Sequence, residues 1–255
     1  MDKKENKPLY ISFSTQKGGA GKTTLTVLIA SYLHYVKNLN VAVIDCDFPQ
    51  YSIKDMRERD MKKAESDSYY KVQLFELLGR LHKKCYTVLC SRLENAASTA
   101  ERLWKTEEDL DIVFFDFPGT INNPKVVETL AMMDYIFTPI IADRVVMESS
   151  ISFATIINDE IISKGKGSIK GIHLIWNMVD GREKTELYEV YEKICSNFGL
   201  HILDTHLPDS KRFRKEMTEE KRTVFRSTMF PMSKALVKGS NIDFLTEEIL
   251  DTIQK

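Results

Sequence analysis

The sequence predicts an α/β fold, a mostly parallel twisted sheet with helices on both faces. Three observations carry that prediction. Short apolar runs alternate with longer segments of helical period, the order that a parallel sheet with crossover helices requires. Two of those runs, Asn40–Asp45 and Asp111–Phe117, are almost continuously apolar, as strands buried on both faces are. A glycine-rich turn stands between the first run and the first helix.

The elements follow in order. Leu9–Ser14 reads as a short strand. Thr23–Lys37 reads as a helix, because Leu25, Leu28, Ile29, Tyr32, Leu33 and Val36 recur at helical spacing. Strand Asn40–Asp45 comes next. Ile53–Lys63 is a polar helix, and Gln73–Lys84 is a more amphipathic one through Leu74, Leu77, Leu78 and Leu81. A short strand at Tyr86–Cys90 and a helix at Ala96–Glu107 precede strand Asp111–Phe117, which Pro118-Gly119 ends. Further strands are expected at Tyr135–Pro139, Gly171–Trp176 and His201–His206. Helices near Val146–Ser163, Lys184–Phe198 and Asp243–Ile253 separate or follow them. No linker rich in Gly, Pro or Ser interrupts the series, so residues 1–255 are expected to form one domain, with 1–8 as a disordered tail.

Composition narrows the function classes. The chain has 255 residues and a formal net charge of -1, so any contact with nucleic acid must come from a local basic patch. The N-terminus is charged and lacks the apolar stretch of a signal peptide, and no apolar run is long enough to span a bilayer. The four cysteines, Cys46, Cys85, Cys90 and Cys195, are not spaced as C-x-x-C, which disfavours a zinc knuckle or a redox pair. Reduced thiols in a cytoplasmic protein are the expectation.

The strongest chemical signal is Lys17-Gly18-Gly19-Ala20-Gly21-Lys22-Thr23-Thr24. The ordinary phosphate-loop pattern needs a glycine at position 16, where this chain has Gln16. The remainder has the required chemistry. Glycines permit close backbone approach, their N–H groups surround phosphate oxygens, and the helix that follows adds its positive N-terminal end. Lys22 neutralises the outer phosphates, and the Thr23 hydroxyl is suited to Mg²⁺. A nucleoside triphosphate with Mg²⁺ is therefore the expected ligand, and the resemblance that follows makes it ATP.

This segment resembles the deviant Walker A motif of the ParA/MinD family of ATPases. Val41-Ala-Val-Ile-Asp45-Cys-Asp47 resembles that family's second strand, Ile112-Val-Phe-Phe-Asp116 its Walker B strand, and 131–148 the next strand with the start of its helix. The likeness covers residues 9–180 and is looser beyond. It implies a P-loop fold and a site assigned residue by residue. Asp116 holds a water of the magnesium shell, and Asp45 supports that shell. Asp47 positions or activates the attacking water. Residues 45 and 47 share a face of a continuing strand. Lys17 reaches the partner's phosphates across an ATP-dependent homodimer. Asn177, Pro208 and Asp209 lie near the base. Two departures bear on second-layer geometry: Phe48 lengthens the segment between Asp47 and Pro49-Gln50, and Phe-Pro-Gly-Thr follows Asp116.

The use of ATP is narrowed by what the C-terminal part contains. The last helix carries four acids and a single lysine, which anionic lipid would repel, so no membrane partner is expected and Ile242, Leu245, Ile249 and Ile253 are expected to pack inward. A C-terminal tyrosine cluster and paired cysteines, marks of other branches, are missing. Lys211, Arg212, Arg214, Lys215, Lys221, Arg222 and Arg226 oppose Glu216, Glu219 and Glu220, seven basic residues against three acidic, leaving +4. By resemblance this is the candidate surface for non-specific DNA. A solvated basic face, or arginines that serve the nucleotide, fit the same residues. The first strand starts near Leu9 with no helix-turn-helix before it, as in short partition ATPases stimulated by a centromere-binding ParB-like partner. The resemblance thus implies a slow, partner-stimulated ATPase associated with the nucleoid that segregates DNA. The alternative is a positioning ATPase of the same type whose cargo is a protein assembly such as conjugation machinery.

Overall fold

A computed structural model describes residues 7–107, 109–119, 124–182, 185–217 and 222–254. Seven parallel strands form one sheet in the order β3-β2-β4-β1-β5-β6-β7. They are β1 (Leu9–Phe13), β2 (Val41–Asp45), β3 (Thr87–Cys90), β4 (Ile112–Asp116), β5 (Tyr135–Ile140), β6 (Gly171–Trp176) and β7 (His201–Ile202). Strand β1 lies between β4 and β5, so the chain's winding reverses there. In open parallel sheets, ligands bind beyond the strand ends at such a reversal. The glycine-rich loop leaves β1 at that place.

Alternation along each strand sorts side chains to two cores. Ile11, Phe13, Val43, Phe114 and Phe137 face one layer, made of α1 (Lys22–Tyr35), α2 (Ser52–Ser66), α3 (Ser68–Leu81) and α9 (Ile242–Gln254). Tyr10, Ala42, Ile44, Val113, Phe115 and Ile136 face the other. That layer contains α4 (Ala96–Thr106), α5 (Pro124–Leu130), α6 (Arg144–Ile157) and α7 (Thr185–Asn197). By the same alternation Asp45 and Asp116 point to the α1 side. A four-residue helix, α8 (Lys234–Val237), precedes α9. Ile242, Leu245, Ile249 and Ile253 are buried, as their spacing predicts.

Several elements differ from the sequence reading. Strand β7 has two residues rather than the expected six. The amides of Asp204 and Thr205 donate to the Glu248 carboxylate of α9 (2.6 and 2.9 Å), which takes them out of the ladder. Helix α6 stops at Ile157 and continues to Ile162 in a wider, π-type turn. Helix α5, opened by a proline at its first position, has no counterpart in the sequence reading. Residues 1–6 of the expected tail lie outside the described residues; the ammonium of Lys7 sits 4.1 Å from the Tyr10 ring centre.

An arm described at residues 211–217 and 222–232 packs on the α1–α2 layer, where Val224, Phe225, Met229, Phe230 and Met232 are buried. Asp60 of α2, fully buried, anchors it. Its Oδ2 accepts from Ser227 Oγ (2.8 Å), Thr228 N (2.8 Å) and Thr228 Oγ1 (3.1 Å), and Arg59 pairs with Oδ1 at 2.9 Å. Arg57 donates to the Tyr86 and Thr228 carbonyls at 2.8 and 2.9 Å.

At the other sheet edge His173 stacks on Tyr135 and Phe137, and its Nδ1 lies 3.3 Å from Nδ1 of His201. Burial, then the neighbouring His201, pushes its pKa from the ordinary 6.5 down to about 4, with Glu248 opposing. Between those values the unfolded chain binds the proton and the folded chain does not, so stability falls as pH drops from 6.5 toward 4. His173→Phe should flatten that decline. Urea midpoints at pH 7 and pH 5 test this; an equal drop in both proteins would exclude His173 as its source.

Candidate nucleotide site

The site forms where β1, β2, β4 and β6 end. Helix α1 begins on Gly21 at φ 94°, with no side-chain cap and no acidic residue in its first turn. Its first amides therefore lack an internal partner. Two other helices are capped by aspartates: Asp67 accepts from Tyr69 N at the start of α3, and Asp143 from Val146 N at the start of α6. Only an external anion fits an uncapped end flanked by glycines and a lysine. Lys22 is buried at that end, and its ammonium donates to the Lys17 carbonyl at 3.3 Å. Burial lowers its pKa, while Asp116 and Asp47 oppose the shift. Gly119, after β4, lies against Gly18 and the Lys22 ammonium, where an added Cβ would meet both at 3.5 Å.

Thr23 Oγ1 donates to Asp116 Oδ2 at 2.8 Å. Asp116 is fully buried, and its Oδ1 has no hydrogen-bond partner. Burial raises its pKa to about 7; Thr23 and Lys22 pull it down, and Asp45 and Asp47 push it up. Asp116 and Asp47 thus act on one lysine, with one buried carboxylate oxygen left over. A hard divalent cation with a water shell fits this donor set, with Thr23 and Asp116 as its holders.

Asp45 sits beside Asp116 in register, and its carboxylate is already engaged. Oδ1 accepts Asp47 N at 3.2 Å, and Oδ2 accepts Ile53 N and Lys54 N at 2.9 and 3.2 Å. Asp45 therefore caps α2 and fixes the turn that carries Asp47. The strand ends at Asp45, so 45 and 47 do not share a strand face. Asp47 is half-buried in the turn that Tyr51 N closes onto its carbonyl at 2.9 Å. Burial raises its pKa and the charge of Lys22 opposes this, so the turn brings the carboxylate to the phosphate lysine. The extra residue Phe48 is exposed, packed between Tyr51 and the Arg92 guanidinium 4.5 Å from its ring centre.

Asn177, Pro208 and Asp209 meet Gly21 and Thr24 in one narrow cleft of about 50 Å³, with Met178, Phe213 and Arg214. Asn177 donates from Nδ2 to the Ala20 carbonyl at 2.8 Å, which ties the end of β6 to the loop. Lys17 is exposed at the loop tip, and among the described residues its ammonium has no partner.

The basic stretch divides. Lys211, Arg214, Lys215 and Arg222 are exposed, with Arg222 over the Tyr69 ring at 4.4 Å. Arg212 is spent on the Leu236 and Lys238 carbonyls at 3.0 and 2.6 Å. Arg226 points inward, to Thr24 Oγ1 at 3.1 Å and Glu216 Oε1 at 2.6 Å. Lys221, Glu219 and Glu220 lie outside the described residues. Reading the sequence did not find Asp60, Arg57, Arg59 or the Arg226–Thr24 contact. A helix counted as polar gave no sign of a buried carboxylate, and Arg226 and Thr24 are 202 positions apart.

Fold and loop together define a P-loop nucleotide-binding protein. The sequence profile of the CobQ/CobB/MinD/ParA nucleotide binding domain matches residues 11–224, and the chain belongs to that family. It is 23% identical over 254 residues to the chromosome-partitioning ATPase Soj of Thermus thermophilus, covering 96% of each. A putative plasmid partition protein of Borrelia burgdorferi B31, solved with AMPPNP, shares the fold with a TM-score of 0.63 at 18% identity over 97% of this chain and 100% of that one. A chain of the MinC:MinD cell division protein complex of Aquifex aeolicus does so at 0.54 and 16% identity, over 80% and 82%. Among the described residues no helix is long and apolar enough to cross a membrane.

Gly21 is the residue that joins these parts, since a Cβ there would lie 2.5 Å from Asn177 Nδ2 at a left-handed φ. Gly21→Ala should cost about 1–2 kcal/mol from the backbone alone and more from the collision. It should also weaken ATP binding. Gly18→Ala meets nothing within 4 Å and should melt like wild type. Equal melting temperatures for the two variants would contradict this assignment.

Proposed function

We propose that this protein is a ParA-type ATPase that dimerises on ATP, binds DNA without sequence preference and drives DNA segregation by hydrolysing ATP. The observation that best supports the reading is the separation of two loop lysines. Lys22 is buried within its own site, whereas Lys17 stands exposed at the loop tip without a partner among the described residues. A lysine so placed suits the phosphates of a facing subunit in a two-fold sandwich, in which each copy donates to the other.

Within one subunit the roles follow from position. The α1 amides and the Gly18–Gly21 backbone bind the phosphates, and Lys22 neutralises them. Mg²⁺, when bound, offsets the triphosphate charge and orients its outer oxygens. Thr23 would hold it through the hydroxyl, and Asp116 would hold a water of its shell. Asp47, half-buried beside Lys22, orients the attacking water and takes its proton. Asp45 keeps Asp47 in place by holding the turn. Asn177, Pro208 and Asp209 enclose the base. The exposed Lys211, Arg214, Lys215 and Arg222 form the DNA face, and a centromere-binding partner accelerates turnover on the nucleoid. A protein assembly as cargo is the second reading, favoured by the internal use of Arg212 and Arg226, which shrinks the basic face.

Binding to random-sequence duplex DNA, measured with ATP, ADP or no nucleotide at two salt concentrations, separates the readings. ATP-dependent binding that weakens steeply with salt is expected. It should drop about tenfold or more in the triple variant Lys211→Ala, Arg214→Ala, Lys215→Ala, because each lost phosphate contact carries part of the affinity. Absence of DNA binding under every condition favours the protein cargo.

Two variants test the site. Asp47→Ala should bind ATP and accumulate as an ATP-bound dimer with hydrolysis reduced by about 10²-fold or more, in the range of a lost general base. Lys17→Ala should bind ATP and stay monomeric. Wild-type turnover in the first, or ATP-driven dimers in the second, would sink the corresponding role.

A further inference from the structure

Arg226 occupies an electrostatically unfavourable place. Its guanidinium donates from Nη1 to Oγ1 of Thr24, the third residue of α1, at 3.1 Å. That is the positive end of a helix with no acidic residue in its first turn, and Lys22 adds a further charge there. A cation at a helix N-terminus is destabilising unless an anion is shared. Glu216 compensates in part, accepting Nη2 at 2.6 Å, but it also accepts from Arg59. Burial alone would raise the Glu216 pKa; the hydrogen bonds from Arg59 and Arg226 bring it below its ordinary value. Nε of Arg226 is buried and has no partner. Two cations therefore share one carboxylate, and one guanidinium donor is unused.

The position is held firmly. Ser227 and Thr228, the next residues, are bonded to the buried Asp60 carboxylate. Arg59 bridges Asp60 to Glu216. The guanidinium is thus delivered to Thr24 from a fixed frame. Thr24 lines the cleft shared by Gly21, Asn177 and Pro208, whereas Thr23, its neighbour, bonds Asp116.

We propose that Arg226 is a nucleotide-positioning residue, supplied by the C-terminal arm, whose guanidinium binds the phosphate nearest the nucleoside beside Thr24. Glu216 offsets the guanidinium's charge, and the Ser227 and Thr228 bonds to Asp60 hold it in place. A triphosphate that runs from the cleft to Lys22, Thr23 and Asp116 passes Thr24 at its nucleoside end. Arg226 therefore contributes to ATP and ADP binding alike and does not read the terminal phosphate. The inference rests on the nucleotide site and is independent of DNA binding.

Calorimetric titration of ATP and of ADP into wild type, Arg226→Gln, Arg226→Lys and Glu216→Gln tests it, with melting temperatures taken without nucleotide. Arg226→Gln should weaken both nucleotides by about tenfold or more, the range of a charge-assisted hydrogen bond. Glu216→Gln breaks the same ion pair and should bind within about threefold of wild type. Arg226→Lys keeps the charge but loses the fork that spans Thr24, Glu216 and a phosphate, and should fall between. Unchanged affinity in Arg226→Gln overturns the proposal. Equal losses in Arg226→Gln and Glu216→Gln overturn it too, because the pair would then be purely structural. Should Arg226→Gln fail to fold, wild-type affinity in Arg226→Lys is the overturning result. Failure of wild type itself to bind ATP would refute the nucleotide site and not this assignment alone.

Discussion

Everything at this site is arranged around the uncapped positive end of α1. Four amides, a buried lysine and two left-handed glycines collect there, and no side chain of the first turn answers them. The fold puts that end at the centre of a seven-stranded sheet, where β1 leaves toward solvent between neighbours from opposite windings. The same molecule caps α3 and α6 with aspartates, whereas α1 opens on a left-handed glycine beside a buried lysine. An anion is the missing partner, and the carboxylates beyond it set what accompanies that anion. Asp116 has a buried free oxygen, and Thr23 holds the other. Negative charge in such excess over one lysine calls for a cation between it and the phosphates.

The carboxylates are not equivalent, and their hydrogen bonds assign them different work. Asp45 and Asp116 are adjacent strand ends in register, both fully buried. Asp116 keeps an oxygen free. Asp45 spends both oxygens on amides of the turn and of α2. Asp45 is thereby the cap of α2 and the anchor of the turn that carries Asp47. Phe48 turns outward against Arg92, while the Asp45 carboxylate holds the amides of 47, 53 and 54.

Much of this was legible in the sequence. Strands at Asn40–Asp45, Asp111–Phe117 and Gly171–Trp176 were readable because both faces of a central parallel strand are apolar, and such runs cannot easily be anything else. The phosphate loop was readable because its chemistry is local: glycines, lysine and threonine within eight residues. Even Asn177, Pro208 and Asp209 fall in one cleft, since strand ends of a parallel sheet share an edge. What escaped notice depends on long-range contact. Nothing near Asp60 announces that it will be buried, since its partners lie beyond residue 226. The shortness of β7 follows from Glu248, more than forty positions away. The basic stretch read as one surface because charge along a chain does not reveal which side chains turn inward.

That division of the basic stretch has a physical consequence. Arg212 and Arg226 fasten the arm to α8 and to α1, whereas Lys211, Arg214 and Lys215 beside and between them face solvent. The exposed charges are therefore borne on a pinned segment, one pin being the nucleotide helix itself. A ligand can shift an equilibrium only by interacting differently with its two states. The Arg226–Thr24 contact, with Glu216 and Arg59 behind it, is a continuous charged path from the phosphate loop to the arm and to α2. Under the proposed function, the nucleotide need not act on the DNA face through the sheet. The arm that carries the face already touches the site.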